Sequence, residues 1–524
     1  MMLTSLLQFV HRQELRFMLY SGLMTKKYQT GTSQLSIYWH DYEAFGANAR
    51  RDRASQFAGI RTDADLNEID EPLVIYCQPA QDYLPHPQAC LITGITPQLA
   101  QLRGLPEADF ISRIHQQFSV PGTCGAGYNS IRYDDEMTRQ LLYRNFYDPY
   151  EREWRHGNSR WDIIDMLRLC YAVRPEGIVW PLKEDGSPSF RLEELSKANH
   201  ISHEDAHDAL ADVRATIAMA RLVKSTQPKL YDYAFSLRAK HAALQALDVH
   251  AHKPVLHVSA MYSAEHGCAA LCVPLTSHPT DKNGVLLYDL RVDPAPWLDL
   301  DEQALRDAMF TPARQRADGT LRLPVTTVHI NRCPMLAPMA VMSDERMQAL
   351  GIDKVAAGRH WDLIRNAPDF VDRVGRAVVS EHAPDVAPDP DFMLYSGGFF
   401  SDADKRVMQR IREMPAVELA EQAAALRGEF RDARLPEMLF RYRARNFPGT
   451  LTAAEQADWL EFRRQRLLNQ STDEEAEHVP AGLSVAGCRR EIAALRSCSS
   501  DNTAHLALLD ELERWVTDVA NQLS

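Results

Sequence analysis

Residues 36–46, SIYWHDYEAFG, set Asp41 and Glu43 one residue apart at the end of an apolar run. Side chains alternate along a strand, so these two carboxylates point the same way. Converging carboxylates repel unless a proton or a cation lies between them, and Mg²⁺ takes oxygen ligands of this kind. A bare D-x-E is also a common solvated strand end, so chemistry here requires further acids. Two other stretches offer them: YNSIRYDDE holds Asp134 and Asp135 after a Gly-rich lead, and HEDAHDALAD holds His207 and Asp212.

The hydrophobic pattern indicates which elements carry these residues. LSIYWHDYE, SQFAGIRTD and EPLVIYCQP read as three successive strands of a meander. Helical periodicity follows in EADFISRIHQQFSV, RWDIIDMLRLCYAV and AHDALADVRATIAMARLVK. In the last of these Leu210, Val213, Ile217 and Ala220 form one apolar stripe, which puts Asp212 on a packed helix and His207 just before it. Strands first and helices interleaved afterwards predict an α/β layer over residues 35–224. From about 254 to 338 short strand-like runs predict a smaller β-rich domain with a helical insertion. SEHAPDVAPDPDF, residues 380–392, is a Pro- and Asp-rich linker, and nearly everything beyond it reads as helix. Residues 1–34 carry a basic bias and no long apolar core, and are expected to be a short amphipathic helix or a mis-assigned start with Met24 as initiator.

With 524 residues, 45% of them hydrophobic, the chain can bury several cores, about three domains' worth. Its net charge of -13 argues against non-specific coating of nucleic acid, while leaving room for a local basic channel. Nine cysteines without a paired framework fit reduced thiols in a cytoplasm. HGCAALC, with His266, Cys268 and Cys272, lies in an apolar stretch and reads as core rather than a zinc site. No apolar run approaches the roughly 18 residues of a membrane span.

D-x-E on a first strand, an Asp in Y-N-x-x-[FY]-D and H-x-x-x-x-D entering a last helix resemble the DEDDh 3′→5′ exonucleases. ITGIT, residues 92–96, resembles their loop beside the 3′-terminal nucleotide. HDYEAFG, YCQPAQDYLPHPQACLITGITP, RNFYDPY, NSRWDIIDM, SFRLEELSKAN, EDAHDALADV, GFFSDAD and YRARNFPGTL resemble the bacterial exodeoxyribonuclease I family more specifically. The resemblance implies a ribonuclease H-like exonuclease domain (35–224), an SH3-like β domain (228–379), a linker (380–392) and a helical C-terminal domain (393–524). It implies a 3′→5′ exonuclease that hydrolyses single-stranded DNA to 5′-mononucleotides, acting in DNA repair and recombination as a cytoplasmic monomer. Asp41, Glu43, Asp134 and Asp212 would be ligands of two Mg²⁺ ions, with Mn²⁺ able to substitute, and His207 the general base. Two alternatives stay open: a DEDDh ribonuclease or proofreading-type exonuclease, which would resemble only the first domain, and a catalytically inactive single-stranded DNA-binding module.

Residues 132–174 hold eight arginines interleaved with aromatics, a mixture suited to phosphates and stacked bases. The resemblance selects Arg139, Tyr150, Trp154, Arg168 and Arg191, with Glu43, as strand contacts. Residues 431–466 hold eight arginines against five acids, and RYRARNFPG at their centre has three arginines and no acid. This is either a solvated helix face or, as the resemblance implies, part of a C-terminal clamp that closes over DNA. The family also binds the acidic tail of single-stranded DNA-binding protein. Arg174, Tyr233 and Lys253 match that pocket, whereas Pro338 and Ser343 stand where polar and basic side chains are expected.

Overall fold

The computed structural model describes residues 35–203, 208–316, 321–379, 389–468, 482–498 and 502–524. They divide into two compact units, one of residues 165–189 and 226–379, the other of residues 37–164, 190–225 and the C-terminal stretch from 380.

The second of these contains a five-stranded sheet in the order β3-β2-β1-β4-β5, with β1 Ser36–Ala44, β2 Ala54–Thr62, β3 Leu73–Tyr76, β4 Thr123–Gly127 and β5 Ser159–Asp162. The first three strands form the antiparallel meander that their alternation predicts. The other two depart from the expectation. The Gly-rich stretch is itself β4, because a Cβ on Gly127 would lie 2.7 Å from the His40 carbonyl, so only glycine lets β4 come this close to β1. RWD, expected to be helical, belongs to β5, where parallel pairing with β4 buries Trp161 completely.

Helices α1 (Pro87–Thr93), α2 (Pro97–Arg103), α3 (Glu107–Phe118) and α4 (Asp134–Arg144) precede β5, and α5 (Ile163–Val173), α6 (Leu192–Ala198) and α7 (Ala209–Thr226) follow it. Phe110, Ile111 and Ile114 of α3 and Met137 and Leu141 of α4 share one core with Tyr38, Tyr42 and Phe57 of the sheet. This packing holds the N-terminus of α4 beside β1. On α7, Val213, Ile217 and Ala220 are buried, as the stripe predicts.

The other unit carries α8 (Pro228–Ser236), α9 (Lys240–Leu247) and an antiparallel sheet in the order β10-β6-β7-β8-β9. Its strands are β6 Val255–Val258, β7 Ala269–Ser277, β8 Gly284–Asp289, β9 Val325–His329 and β10 Met335–Pro338. Helices α10 (Glu302–Phe310), α11 (Asp344–Ala349), α12 (Lys354–Arg365) and α13 (Pro368–Ala377) complete it. Cys268 and Cys272 are buried here, Cys272 within β7.

Six further helices, α14 (Asp402–Glu413), α15 (Ala416–Glu429), α16 (Leu435–Asn446), α17 (Ala453–Leu468), α18 (Val485–Cys498) and α19 (Thr503–Leu523), are described beyond residue 389. They share cores with the first sheet's layer. Tyr143 and Phe146 pack with Met408, Leu419 and Leu439. Phe45, Tyr83 and Cys90 pack with Ile492, Leu509, Leu512 and Val516.

The side chains of Arg441, Arg443 and Arg445 on α16 are buried rather than presented to a strand. Arg445 makes a forked contact to Asp82 at 2.7 and 3.1 Å and also pairs with Asp391. Arg441 reaches Asp389, Asp391 and Glu437, and Arg443 pairs with Glu455. The basic look of RYRARNFPG arises because most of the neutralising acids lie elsewhere in the chain.

Candidate active site

Asp41 and Glu43 leave β1 on one face, and Asp212 on α7 meets them: one carboxylate oxygen from each of the three falls within 4.8 Å of the others. The fourth acid is tied to the same strand. Asp134 is the first residue of α4, and its Oδ1 accepts a 3.0 Å hydrogen bond from the backbone N–H of Tyr42, the residue between the two strand acids. Thr138, one turn on, donates to the Asp134 carbonyl at 2.8 Å and lies 3.0 Å from the Tyr42 hydroxyl.

Burial, then the charges of Asp134, Glu43 and Asp212, push the Asp41 carboxyl well above the usual range. Burial and then Asp212 and Asp134 raise Glu43 to about 8. Burial also raises Asp134. An all-oxygen donor set whose members resist ionising side by side is what a hard divalent cation relieves, so these residues fit one.

An unfolded Glu releases its proton near pH 4.3 and the folded Glu43 near pH 8, so without a cation this group costs stability increasingly across that window. A bound divalent ion replaces the proton. Thermal unfolding should therefore show a larger Mg²⁺-induced rise in melting temperature at about pH 8.5 than at about pH 5.5, with about 2.7 kcal/mol available at a hundredfold excess over Kd. An equal rise at both pH values would count against this cluster as the binding site.

His207 lies outside the described residues. A histidine the pattern did not single out, His203, contacts Asp212 through Nε2. Asp208, just before α7, accepts from the amides of Leu210 and Ala211, and its charge reaches Asp41 and Glu43. Only the fold brings these groups to the acids, although the density of His and Asp in HEDAHD was a visible hint.

Among the expected strand contacts, Trp154 is 62% exposed and the Arg191 side chain is exposed beside Glu194. Arg139 is forked onto Glu153 at 2.7 and 3.0 Å, with its guanidinium over the Tyr150 ring. Arg152 and Arg160 instead hold Asp135, whose carboxyl they keep low against the opposing effect of burial. Arg168 belongs to the other unit and pairs with Asp165 at 2.6 Å. In that unit Arg174 donates to the Val341 carbonyl at 2.9 Å, between Pro338 and Ser343, while Lys253 is exposed and Tyr233 part-buried.

A cleft of about 760 Å³ opens beside Glu43. Ile92 and Thr93 of α1, Tyr133, and Arg490 and Glu491 of α18 line it with Glu43. ITGIT forms the turn from α1 to α2: Gly94, at φ 67°, adopts the left-handed conformation that favours glycine, and the Thr96 hydroxyl caps α2.

Comparison with known proteins bears directly on this geometry. The exonuclease family model matches residues 38–220, the exonuclease I SH3-like domain residues 238–378, and the exonuclease I C-terminal domain residues 388–519. Exodeoxyribonuclease I of Escherichia coli K12 is 48% identical over 441 residues, 83% of this chain and 90% of that one. The chain belongs to the exodeoxyribonuclease I family. It is an exonuclease, with a ribonuclease H-like, an SH3-like and a helical C-terminal domain. Among solved relatives, exonuclease I of Methylocaldum szegediense superposes with a TM-score of 0.86 at 49% identity, covering 93% of this chain and 99% of that one. E. coli exonuclease I bound to a 5cy-dT13 oligonucleotide gives 0.83 at 44%, covering 93% and 100%. An SSB/exonuclease I structure with the inhibitor CFAM gives 0.81 at 45%, with the same coverage. The family's exonuclease domain implies dependence on a divalent metal.

Proposed function

We propose that this enzyme removes 5′-mononucleotides from the 3′ end of single-stranded DNA, using two Mg²⁺ ions for which Mn²⁺ can substitute. The convergence of Asp41, Glu43 and Asp212 with Asp134 tied to the same strand carries this reading. These four carboxylates would hold the ions, which when bound supply an activated water and neutralise charge on the leaving oxygen. His207, with an unperturbed pKa of about 6.5, accepts the water's proton. Glu43 contacts the terminal nucleotide from the cleft side. The E. coli relative solved with an oligonucleotide supports a single strand as substrate. Domains that match exonuclease I models beyond the first favour this over a ribonuclease or proofreading-type enzyme.

Release of labelled nucleotide from a 3′-labelled single strand, dependent on Mg²⁺, is the direct test, and no release would refute the assignment. In the same assay His207→Ala should lose the limb of the pH–rate profile near the histidine pKa. A profile that keeps it assigns the proton to another group.

Trp154, Tyr150, Arg139, Arg168 and Arg191 hold the strand, by stacking and by phosphate contact. Exposed Trp154 has a free surface for a base, so Trp154→Ala should weaken single-strand binding by about 1–3 kcal/mol without changing the melting temperature. Fluorescence anisotropy with a labelled oligonucleotide measures it, and unchanged affinity would remove Trp154 from the interface. The SSB/exonuclease I structure supports SSB as partner, and Arg174, Tyr233 and Lys253 would receive its acidic tail. The setting we propose is a cytoplasmic monomer acting in DNA repair and recombination, and the nine cysteines are free thiols.

A further inference from the structure

The wall of the cleft contains a charged bridge that the chemistry above does not use. His86 starts α1, and its two ring nitrogens face carboxylates from different parts of the chain: Nε2 lies 3.6 Å from Asp52 Oδ1, and Nδ1 lies 3.8 Å from Glu491 Oε2 on α18. Both contacts are ion pairs when the imidazole is protonated.

Both carboxylates are fixed independently. Asp52 accepts from the Asn48 amide at 2.7 Å and lies 3.0 Å from the Tyr83 hydroxyl. Glu491 accepts from the Gln88 amide at 3.2 Å, in the first turn of α1. The packing leaves no slack, since a Cβ on Gly46 would lie 2.2 Å from Asp52 Oδ2 and 2.8 Å from His86 Cδ2. The same α1 supplies Ile92 and Thr93 to the cleft wall beside Glu43.

We propose that His86 is a positioning residue for the reaction: by bridging Asp52 and Glu491 it locks α1 onto α18, and so sets how tightly the 3′-terminal nucleotide is held. This rests on the exonuclease reading above. Burial alone would lower the His86 pKa, but Asp52 and Glu491 outweigh it and raise it to about 9. The other charged groups lining the cleft are Glu43 and Arg51 on the β1 side and Arg490 on α18. A raised histidine pKa means the bridge is fully formed below the unfolded value of about 6.5 and is lost as pH rises through about 9. Above that, two carboxylates face each other with no cation between them.

The test is KM and kcat of the full-length enzyme on a short 3′-labelled oligonucleotide in Mg²⁺, from about pH 7.5 to about pH 10. The wild type should show KM rising above about pH 9 without a parallel change in kcat. His86→Ala should show KM about fivefold higher already at pH 7.5, with no further alkaline rise. His86→Arg, which keeps its charge, should hold the low KM across the range. His86→Ala with wild-type KM and a wild-type alkaline rise would overturn the proposal, as would a fall confined to kcat and melting temperature. A wild type that releases no nucleotide refutes the exonuclease reading itself, a result distinct from an active wild type matched by its His86 variant.

Discussion

Asp41→Ala or Asp212→Ala should abolish nucleotide release while leaving single-strand binding in Ca²⁺ or EDTA largely intact. Each change removes one of three carboxylate oxygens that approach within 4.8 Å, so a cation there would lose a ligand and its placement. Position matters as much as charge, because misplacing a reacting group by about 1 Å costs on the order of a hundredfold. Strand binding is spared because the groups proposed to hold bases and phosphates, Trp154 and Arg191, lie outside the cluster. Asp41→Ala should not destabilise the fold, because it removes a buried carboxyl that its acidic neighbours already push well above the usual range, so the melting temperature measured in EDTA should rise or stay level. Asp212→Ala also removes the partner of His203 Nε2, which offsets the relief of repulsion. Residual turnover within about tenfold of wild type, a difference of roughly 1.4 kcal/mol, would sink the metal-site assignment.

Arg445→Ala should act in the opposite sense, lowering stability by about 3–5 kcal/mol while leaving kcat on a short oligonucleotide unchanged. The Arg445 side chain is 5% exposed, and its two partners, Asp82 and Asp391, are 0% and 1% exposed. Removing the guanidinium strands both charges in the interior, where burial alone would drive their pKa values up. At present Arg445, with Arg466 for Asp82 and Arg441 for Asp391, holds them well below the ordinary carboxylate range. Depressed carboxylates contribute stability above their unfolded pKa of about 3.9 and lose it only as pH falls through the lower folded value. The variant's deficit should therefore be full at pH 7 and shrink towards acid pH. Chemical denaturation at the two pH values checks this. A variant with wild-type stability but weaker, less salt-dependent DNA binding would instead restore Arg445 to a DNA-facing clamp.

The parts of this molecule that could be read from sequence are those whose signal is local. The apolar run of β1 ends in Asp41 and Glu43, the stripe of α7 carries Asp212, and each pattern is complete within one element. β5 was hidden because it has only four residues and runs directly into α5, so one apolar stretch covers both. β4 was hidden because its glycines, ordinarily turn residues, serve a close approach to β1. The arginines of α16 were misleading for a different reason: Asp82 lies 363 residues away from Arg445 in sequence, so the pairing exists only in three dimensions. The same holds for the Tyr42 amide that donates to Asp134, 92 residues further along the chain.

The core shared by Phe45, Tyr83 and Cys90 with Leu509, Leu512 and Val516 has a consequence for biosynthesis. At roughly 5–20 residues per second, the ribosome delivers the early half of this core tens of seconds before α19. Until then the apolar side of α1 lacks the cover of α18 and α19, and the cleft lacks the wall that α18 supplies. The nascent chain therefore passes the point at which its sheet can form with this core still half built. Contacts of such long sequence separation also make folding slow. A ribosome stalled before α18 should hold a chain whose first sheet resists protease while α1 remains open to it.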